Sequence, residues 1–199
     1  RDSELVIMDD GSRIPVEAGN GIPADPRIRV LRNEVPVGAG AASQLLLDAT
    51  DSRYVSRMDH DDVTLPWRFR HQLAVLRDSS DFVFSPIVQF RTRPLRLRPG
   101  APLPITADAM PLHLLVQSLL CHPTMTATRA AIEAAGGYRA VRAEDYDLWL
   151  RASAAGQRIV RTALPVLGYR RHPTQMSFQP RFAKDDTSSS LLREAYKAF

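Results

Sequence analysis

The sequence contains one cysteine, Cys121, among its 199 residues. A single thiol can form neither an intramolecular disulfide nor a zinc site built from several thiolates. Disulfide-rich secreted scaffolds and zinc fingers are therefore excluded. A chain with so little cysteine fits a reducing compartment, and we expect a cytoplasmic location.

Long apolar runs are also missing. No stretch approaches the roughly 18 consecutive apolar residues that a transmembrane helix needs, so none is predicted. The net charge is +4 and comes largely from arginines that are dispersed along the chain, apart from a concentration in residues 91–98. No zinc-finger, RNP or homeodomain pattern is present, and we expect no nucleic-acid partner. The stretch 91–98 would face an anionic acceptor or a membrane surface, or else form a solvated loop.

The first 90 residues alternate between strand and helix patterns, which favours an α/β layer with a largely parallel sheet. Thr64 is the expected cap of the second helix. The predicted strands are residues 4–8, 27–33, 53–58 and 81–90, and the predicted helices are residues 39–49 and 64–76.

The second half is less regular. We predict one domain over residues 1–180, followed by a polar tail with a weak helix over 181–199. Residues 91–107 are predicted as a loop, 110–120 and 143–156 as helices, 122–138 as a short strand and helix ending at two glycines, and 158–172 as strand broken by Pro165.

Acidic side chains follow two of the predicted strands. Asp9 and Asp10 follow the first strand, and Asp59, Asp61 and Asp62 follow the third. In an open α/β sheet, ligands bind beyond the carboxyl ends of the strands, so both groups would face one crevice if these strands shared a parallel sheet. Asp59 and Asp61 would point the same way in extended chain and could hold a hard cation such as Mg²⁺ or Mn²⁺. Alternatively, these acids cap the next helix or are solvated.

Two later segments offer complementary chemistry. Acids open the predicted helix 143–156, where they would supply a general base or complement the helix dipole. Cations follow the last predicted strand, where they would neutralise a diphosphate or lie on the surface. The acids are Glu144, Asp145 and Asp147, and the cations are Arg170, Arg171 and His172.

Taken in order, these segments resemble glycosyltransferase family 2, the inverting enzymes of the GT-A fold. The resemblance spans residues 4–178 and implies a Rossmann-like, mixed but mostly parallel sheet flanked by helices. The matching text is VIMDDGS, RVLRNEVPVGAGAASQLLLDAT, YVSRMDHDDVTLPWRFRHQL, HPTMTATRAAI, AEDYDLWLRASAAG and YRRHPTQMS.

The resemblance also implies roles on the donor side. Asp9 and Asp10 would contact the nucleotide base. Asp59 and Asp61 match the DxD motif that holds the ribose and the divalent metal, with Asp62 in support. The cationic segment would close on the diphosphate, with His172 beside the metal; its members are Arg170, Arg171 and His172.

On the acceptor side, the resemblance implies that Asp145, with Glu144 beside it, is the catalytic base. His122 and Trp149 would lie near the acceptor, although a packing role is the favoured explanation for Trp149.

The implied activity is metal-dependent transfer of a sugar from a nucleoside-diphosphate sugar (UDP-, GDP- or dTDP-linked) to a hydroxyl of a glycan, lipid or small-molecule acceptor, with Mn²⁺ or Mg²⁺ as cofactor. Peripheral association with the inner face of the membrane and homo-oligomerisation stay open. One alternative is a non-catalytic module that binds nucleotide sugars. Another is a nucleotidyl or phosphoryl transferase, which the sequence supports less because it has no G-x-x-x-x-G-K-S/T loop.

The family usually begins with a strand and turn of the VSVIIPTYN type and a helix, and no segment here corresponds to them. Either the chain is truncated or an upstream segment, omitted or cleaved, completes the sheet, and we favour the second explanation.

Overall fold

The computed structural model describes residues 3–17, 21–91, 96–116, 118–173 and 190–191. The chain divides into two compact units. The first unit comprises residues 1–51 and 138–144, and the second comprises residues 52–137 and 145–199.

The first unit is built on two parallel strands and one helix. Strand β1 (Leu5–Asp10) pairs along its whole length with β2 (Ile28–Asn33), and helix α1 spans Ala39–Asp48. These elements were predicted, and the structure confirms them. Gly40 lies where α1 meets residues 138–144, and a Cβ there would stand 2.0 Å from the carbonyl oxygen of Arg139. The small residues of this helix thus permit close backbone approach.

The second unit contains two four-stranded sheets. Their strand orders are β3-β8-β5-β9 and β4-β10-β6-β7. The strands are β3 (Tyr54–Ser56), β4 (Val63–Thr64), β5 (Phe82–Phe84), β6 (Ile87–Arg91), β7 (Arg96–Pro99), β8 (Thr126–Thr128), β9 (Ile159–Arg161) and β10 (Leu167–Arg170). The helices are α2 (Arg68–Arg77), α3 (Met110–Val116), α4 (Arg129–Ala134) and α5 (Glu144–Ala154), with a 3₁₀ turn at His122–Thr124.

The α/β class is confirmed, but the prediction of one mostly parallel sheet is wrong in part. Among the described residues, three of the seven strand pairings are parallel and four are antiparallel. Strands β1 and β3, which carry the two acidic groups, belong to different sheets. The predicted strand 81–90 is two strands, β5 and β6, separated at Pro86. Proline has no N–H for the ladder, so the chain leaves one sheet there and enters the other.

Two local predictions are wrong. Residues 96–99 were assigned to a loop, yet β7 pairs antiparallel with β6 as an exposed edge strand. An edge strand with both faces exposed is held by backbone hydrogen bonds, so it shows no apolar alternation.

Thr64 was expected to cap a helix, but it lies in β4, and α2 begins at Arg68 without a side-chain cap among the described residues. The predicted tail helix falls outside the described residues, except for residues 190–191.

The core of the second unit lies between β5 and α5. The three residues of β5, Phe82 to Phe84, are fully buried, and Trp149 of α5 is 1% exposed. The rings of Phe84 and Trp149 meet edge to face with centroids 5.1 Å apart, a favourable aromatic arrangement. This packing fixes α5, and therefore the acidic residues at its start. Across the described part of the chain, no helix combines the length and the apolarity needed to cross a bilayer.

A buried guanidinium joins three elements of the second unit. Arg68, in the first turn of α2, has no exposed surface, and this burial lowers its pKa to about 10. Its nitrogens donate to the oxygens of neighbouring groups, namely Gln72 Oε1 (3.2 Å), Ser56 Oγ (2.9 Å), Arg57 O (2.7 Å) and Met125 O (3.1 Å). Gln72 extends the network to Thr124 O at 2.7 Å. The carboxyl end of β3, which leads into residues 58–62, is thereby tied to α2 and to the start of β8.

We predict that Arg68→Met destabilises the protein by roughly 3 kcal/mol, because several buried oxygens lose their donors. Urea denaturation followed by circular dichroism measures the change. Arg70→Met, on the exposed side of the same helix, is the matched control and should shift stability by less than about 0.5 kcal/mol. Equal unfolding midpoints for the two variants would contradict the role of Arg68.

Candidate active site

An acidic turn, residues 58–62, follows β3 and leads into β4. The turn is closed by a hydrogen bond from Asp62 N to Asp59 O at 3.3 Å. Asp62 is buried, whereas the side chains of Asp59 and Asp61 are 37% and 20% exposed. Two carboxylates are therefore accessible to a ligand, and the third lies beneath them.

Basic side chains at and just after the end of β10 contact this turn. His172 Nε2 lies 2.8 Å from Asp61 Oδ2, and Arg170 Nε donates to Asp61 O at 2.8 Å. The backbone N–H of Arg170 donates to Asp62 Oδ1 at 2.9 Å. These contacts form because β10 pairs antiparallel with β4, which directly follows the turn. The structure thus brings two of the three predicted cations to the predicted DxD residues.

Asp62 is in an electrostatically unfavourable position. Burial raises its pKa to about 6; the N–H of Arg170 opposes this increase, and the nearby charges of Asp59 and Asp61 add to it. Among the described residues, its Oδ2 atom is buried without a hydrogen-bond partner. Buried polar atoms are normally satisfied, so this oxygen marks a place where a cation or donor would fit.

Sequence reasoning missed Arg57. Its Nη2 atom lies 3.2 Å from Asp59 Oδ1, and its charge also acts on Asp145. A signal was available, because Arg57 stands two residues before Asp59 and side chains two apart in extended chain share a face.

Asp145 stands in the first turn of α5, where it accepts a hydrogen bond from Tyr146 N at 2.7 Å. Burial raises its pKa above the ordinary range; this N–H and Arg57 lower it, and the charge of Asp59 raises it further. Asp145 and the acidic turn therefore share one electrostatic environment. A carboxylate with a raised pKa is a better proton acceptor near neutral pH than an ordinary one.

The other acids of this helix differ from Asp145. Asp147 is buried and forms an ion pair with Arg151 at 2.6 Å, one helical turn later, which identifies it as a structural residue. Glu144 is half-buried at the first position of the helix. Ala143 immediately precedes it with φ of 54°, a left-handed conformation that is costly for a residue with a Cβ. Strain of this kind often accompanies functional sites.

His122 and Trp149, predicted on the acceptor side, lie together. Their rings meet edge to face with centroids 6.1 Å apart. Burial lowers the pKa of His122 well below its ordinary value, and the charge of Arg57 acts in the same direction, so the imidazole is neutral at pH 7. Trp149 is buried and contributes to the core. Contact with an acceptor stays a prediction for both residues.

In the first unit, Asp9 is a buried structural carboxylate. Its Oδ1 accepts from Ser12 N at 2.8 Å, and its Oδ2 accepts from Val16 N at 3.0 Å and pairs with Arg32. The two backbone N–H groups, with Ser12 and Arg32, hold its pKa well below the ordinary range. Asp9 therefore shapes the loop that follows β1.

Asp10 organises the start of α1. Its Oδ1 accepts from Asn33 Nδ2 at 2.8 Å and from Val37 N at 2.9 Å, and its Oδ2 accepts from Gly38 N at 2.9 Å. These bonds lower its pKa although burial opposes them. All four carboxylate oxygens of Asp9 and Asp10 are thus engaged by the protein's own donors. A contact with the nucleotide base stays a prediction.

The acidic turn could supply only a few of the ligands of a metal ion. Among the described residues, no three acidic, histidine or cysteine side chains converge as the ligands of one ion. Mg²⁺ is commonly held by one or two carboxylates together with substrate phosphates and water. The accessible carboxylates of Asp59 and Asp61 fit that mode of binding, and a closed protein cage is not required.

Residues 1–134 match the sequence profile of Glycosyl transferase family 2. EpsE of Bacillus subtilis (strain 168), whose name describes it as a glycosyltransferase, is 29% identical over 171 residues, which cover 78% of this chain and 58% of EpsE. MJ1057 of Methanocaldococcus jannaschii, named as an uncharacterized glycosyltransferase, is 24% identical over 133 residues, which cover 65% of this chain and 46% of that protein. The chain thus spans about half the length of these relatives.

The fold is also similar to that of a solved structure. Residues 1–349 of S. aureus TarS, in complex with UDP-GlcNAc, superpose with a TM-score of 0.69 at 15% identity, covering 98% of this chain and 57% of that one. A second structure of the same TarS fragment gives a TM-score of 0.61, at 17% identity, and covers 84% and 51% of the two chains. At this identity the similarity concerns the fold.

We predict that Asp9→Asn lowers stability near neutral pH and that the difference from wild type narrows in acid. The folded-state pKa of Asp9 lies below its ordinary value of 3.8, so the carboxylate stabilises the fold fully above about pH 5 and loses this effect as the pH falls. Urea unfolding from about pH 7 down to about pH 3 measures the difference. The exposed Asp51→Asn is the control. A difference that is constant over this range would disprove the assignment.

Proposed function

The chain belongs to glycosyl transferase family 2, and from this premise we propose that it acts as a metal-dependent, inverting glycosyltransferase. It would transfer a sugar from a nucleoside-diphosphate sugar to an acceptor hydroxyl. The observation that carries the proposal is the electrostatic environment shared by Asp145 and the acidic turn, in which the charges of Asp59 and Arg57 both act on the half-buried Asp145. A proton acceptor and a cation-binding carboxylate pair are the two groups that this reaction needs.

Asp145 is proposed as the general base. It would take the proton of the acceptor hydroxyl while that oxygen bonds to the anomeric carbon from the face opposite the leaving group. The bond from the anomeric carbon to the phosphate oxygen breaks, and the nucleoside diphosphate leaves with the bonding electrons. The raised pKa of Asp145, caused mainly by burial, supports this role because the carboxylate then holds the proton more firmly.

Asp61 and Asp59 are proposed as the ligands of the cation, with Asp62 beneath them. The unsatisfied Oδ2 of Asp62 and its raised pKa support this assignment, because added positive charge would relieve both. Mn²⁺ or Mg²⁺, when bound there, would stabilise the charge of the departing diphosphate. His172, in contact with Asp61, would bind the cation or the diphosphate.

Arg170 is proposed to orient this site. Its backbone and side chain bind the acidic turn at Asp62 and Asp61, and its guanidinium lies 4.8 Å from the centre of the Phe90 ring. Because the acidic turn and the Phe90 ring already hold this guanidinium, it would lose little further rotamer freedom when a diphosphate binds.

The donor is proposed to be a nucleoside-diphosphate sugar, with its base contacted by Asp9 and Asp10. The similarity in fold to TarS in complex with UDP-GlcNAc supports this class of donor. The carboxylate oxygens of both residues already accept hydrogen bonds from the protein's own donors, which would hold the two side chains in place before a base binds.

We predict that Asp145→Asn lowers kcat by ~10²–10⁴ while leaving donor affinity within a few fold, since the amide cannot accept the proton. Turnover is measured with Mn²⁺ and the sugar nucleotide that a panel screen identifies, and donor affinity by calorimetry. Asp78→Asn, an exposed carboxylate of the same unit, is the matched control. Near-full turnover by Asp145→Asn would refute the base assignment, and a larger loss in Glu144→Gln would transfer it to Glu144.

We also predict that Asp61→Ala weakens Mn²⁺-dependent binding of a nucleoside diphosphate by about tenfold or more. Calorimetry with and without Mn²⁺ separates the metal-dependent part of the affinity. Asp78→Ala should bind as wild type does. Unchanged metal-dependent binding in Asp61→Ala would show that the cation is held elsewhere, and binding without any turnover in the wild type would favour a non-catalytic module.

A further inference from the structure

A recess lined mainly by arginine lies at the edge of the second unit. Its volume is about 100 Å³, several times the space that one water molecule requires. Four of its six lining residues are arginines. The lining residues are Gln89, Phe90, Arg91, Arg96, Arg98 and Arg171. In the sequence, Arg171 stands between Arg170 and His172, far from residues 91–98, so the recess is a product of the fold. Arg93, in the same stretch, lies outside the described residues.

The strand register explains how the arginines converge. In the hairpin of β6 and β7, Arg91 stands opposite Arg96 and Gln89 stands opposite Arg98. Directly opposed residues share a face, and so do residues two apart on one strand. On the other side of β6, β10 runs parallel to it, and Arg171 N donates to Phe90 O at 2.9 Å. Strands β6 and β7 and the residue that follows β10 therefore present arginines on one face.

This face differs from the one that meets the acidic turn. Alternate residues of extended chain point to opposite sides. Arg170 and His172 contact Asp61, whereas Arg171, between them, lines the recess. Phe90 joins the two places, because it lines the recess and its ring also lies under the Arg170 guanidinium. The recess and the contacts with the acidic turn thus lie on opposite faces of residues 170–172.

The recess has an excess of positive charge. Like charges directly opposed across a strand pair destabilise it, and Arg91 opposite Arg96 is such a pair. Within the described ranges, no ion pair with a carboxylate involves Arg91, Arg96 or Arg98. Guanidinium groups bind phosphate through paired hydrogen bonds. The combined positive charge of Arg91, Arg96 and Arg98 exceeds what one carboxylate would balance.

We propose that the arginine recess binds a phosphate ester group other than the donor diphosphate. The inference rests on the proposed function for its biological meaning: in a transferase with a separate donor site, the phosphate ester would belong to the acceptor or to the lipid headgroup of a membrane that presents it. The anion binding itself does not depend on catalysis, so the two ideas fail separately.

The test uses the full chain and the double variant Arg96→Gln/Arg98→Gln. Both residues are exposed, which favours a folded variant. Glycerol 3-phosphate, with acetate at equal ionic strength as the comparison, is titrated by calorimetry. We expect the wild type to bind the phosphate ester more tightly than acetate, and we expect the variant to lose about tenfold in affinity, after allowance for solvent screening. The matched control removes the same charge elsewhere in the unit, at the exposed Arg70 and Arg77, and should bind as wild type does.

A second arm identifies the source of the phosphate. Phosphatidylcholine vesicles with and without phosphatidylglycerol are sedimented with each variant. Binding to the anionic vesicles that depends on Arg96 and Arg98 assigns the phosphate to a lipid headgroup, and binding of the soluble ester alone assigns it to the acceptor. Equal affinities of wild type, double variant and control for glycerol 3-phosphate would overturn the proposal. Mn²⁺-dependent binding of a nucleoside diphosphate, measured in parallel, should be unchanged in the double variant, and its absence from the wild type would count against the proposed function alone.

Discussion

The guanidinium of Arg68 lies in the interior of the second unit and is held by neutral oxygens. Leaving its donors unsatisfied there would be costly, so the chain must supply acceptors in fixed positions. Those acceptors belong to the end of β3, the residue before β8 and the helix that carries Arg68 itself. The acidic turn begins where this network ends. Its geometry therefore depends on a buried polar group several residues away, which touches none of its carboxylates.

The two acidic groups are treated differently by the fold. In the first unit, Asp9 and Asp10 are surrounded by donors that lower the pKa of both, and they organise loops. In the second unit, burial raises the pKa of Asp62 and of Asp145, and one oxygen of Asp62 lacks a partner within the described residues. Carboxylates whose oxygens all accept hydrogen bonds stabilise a fold. Carboxylates whose pKa is raised by burial are found more often where the chemistry of a site requires them. This contrast supports the proposal that the reaction takes place at the acidic turn and Asp145.

The periodicity of apolar residues predicted the helices and strands that bury one face. It failed for a strand that is held only by backbone hydrogen bonds. Helix α1 and strands β1 and β2 were predicted from their apolar and small residues, whereas the pairing of the two strands was not. Strand β7 was missed because its residues are exposed on both faces, so that no alternation marks it. Pro86 explains why one predicted strand serves two sheets, a break that a continuous apolar pattern conceals. Thr64 was predicted to begin a helix because threonine is favoured as a helix cap and is also common in strands.

The order of the motifs and the chemical type of each candidate group follow from the sequence by itself, because those are properties of the residues and their local spacing. The pairing of His172 with Asp61, 111 positions apart, was decided by the antiparallel contact of β10 with β4. The separation of Arg171 from Arg170 was decided by the strands on either side of β10. Burial, charge pairing and pKa depend on such distant neighbours, and local spacing does not specify which strands will meet.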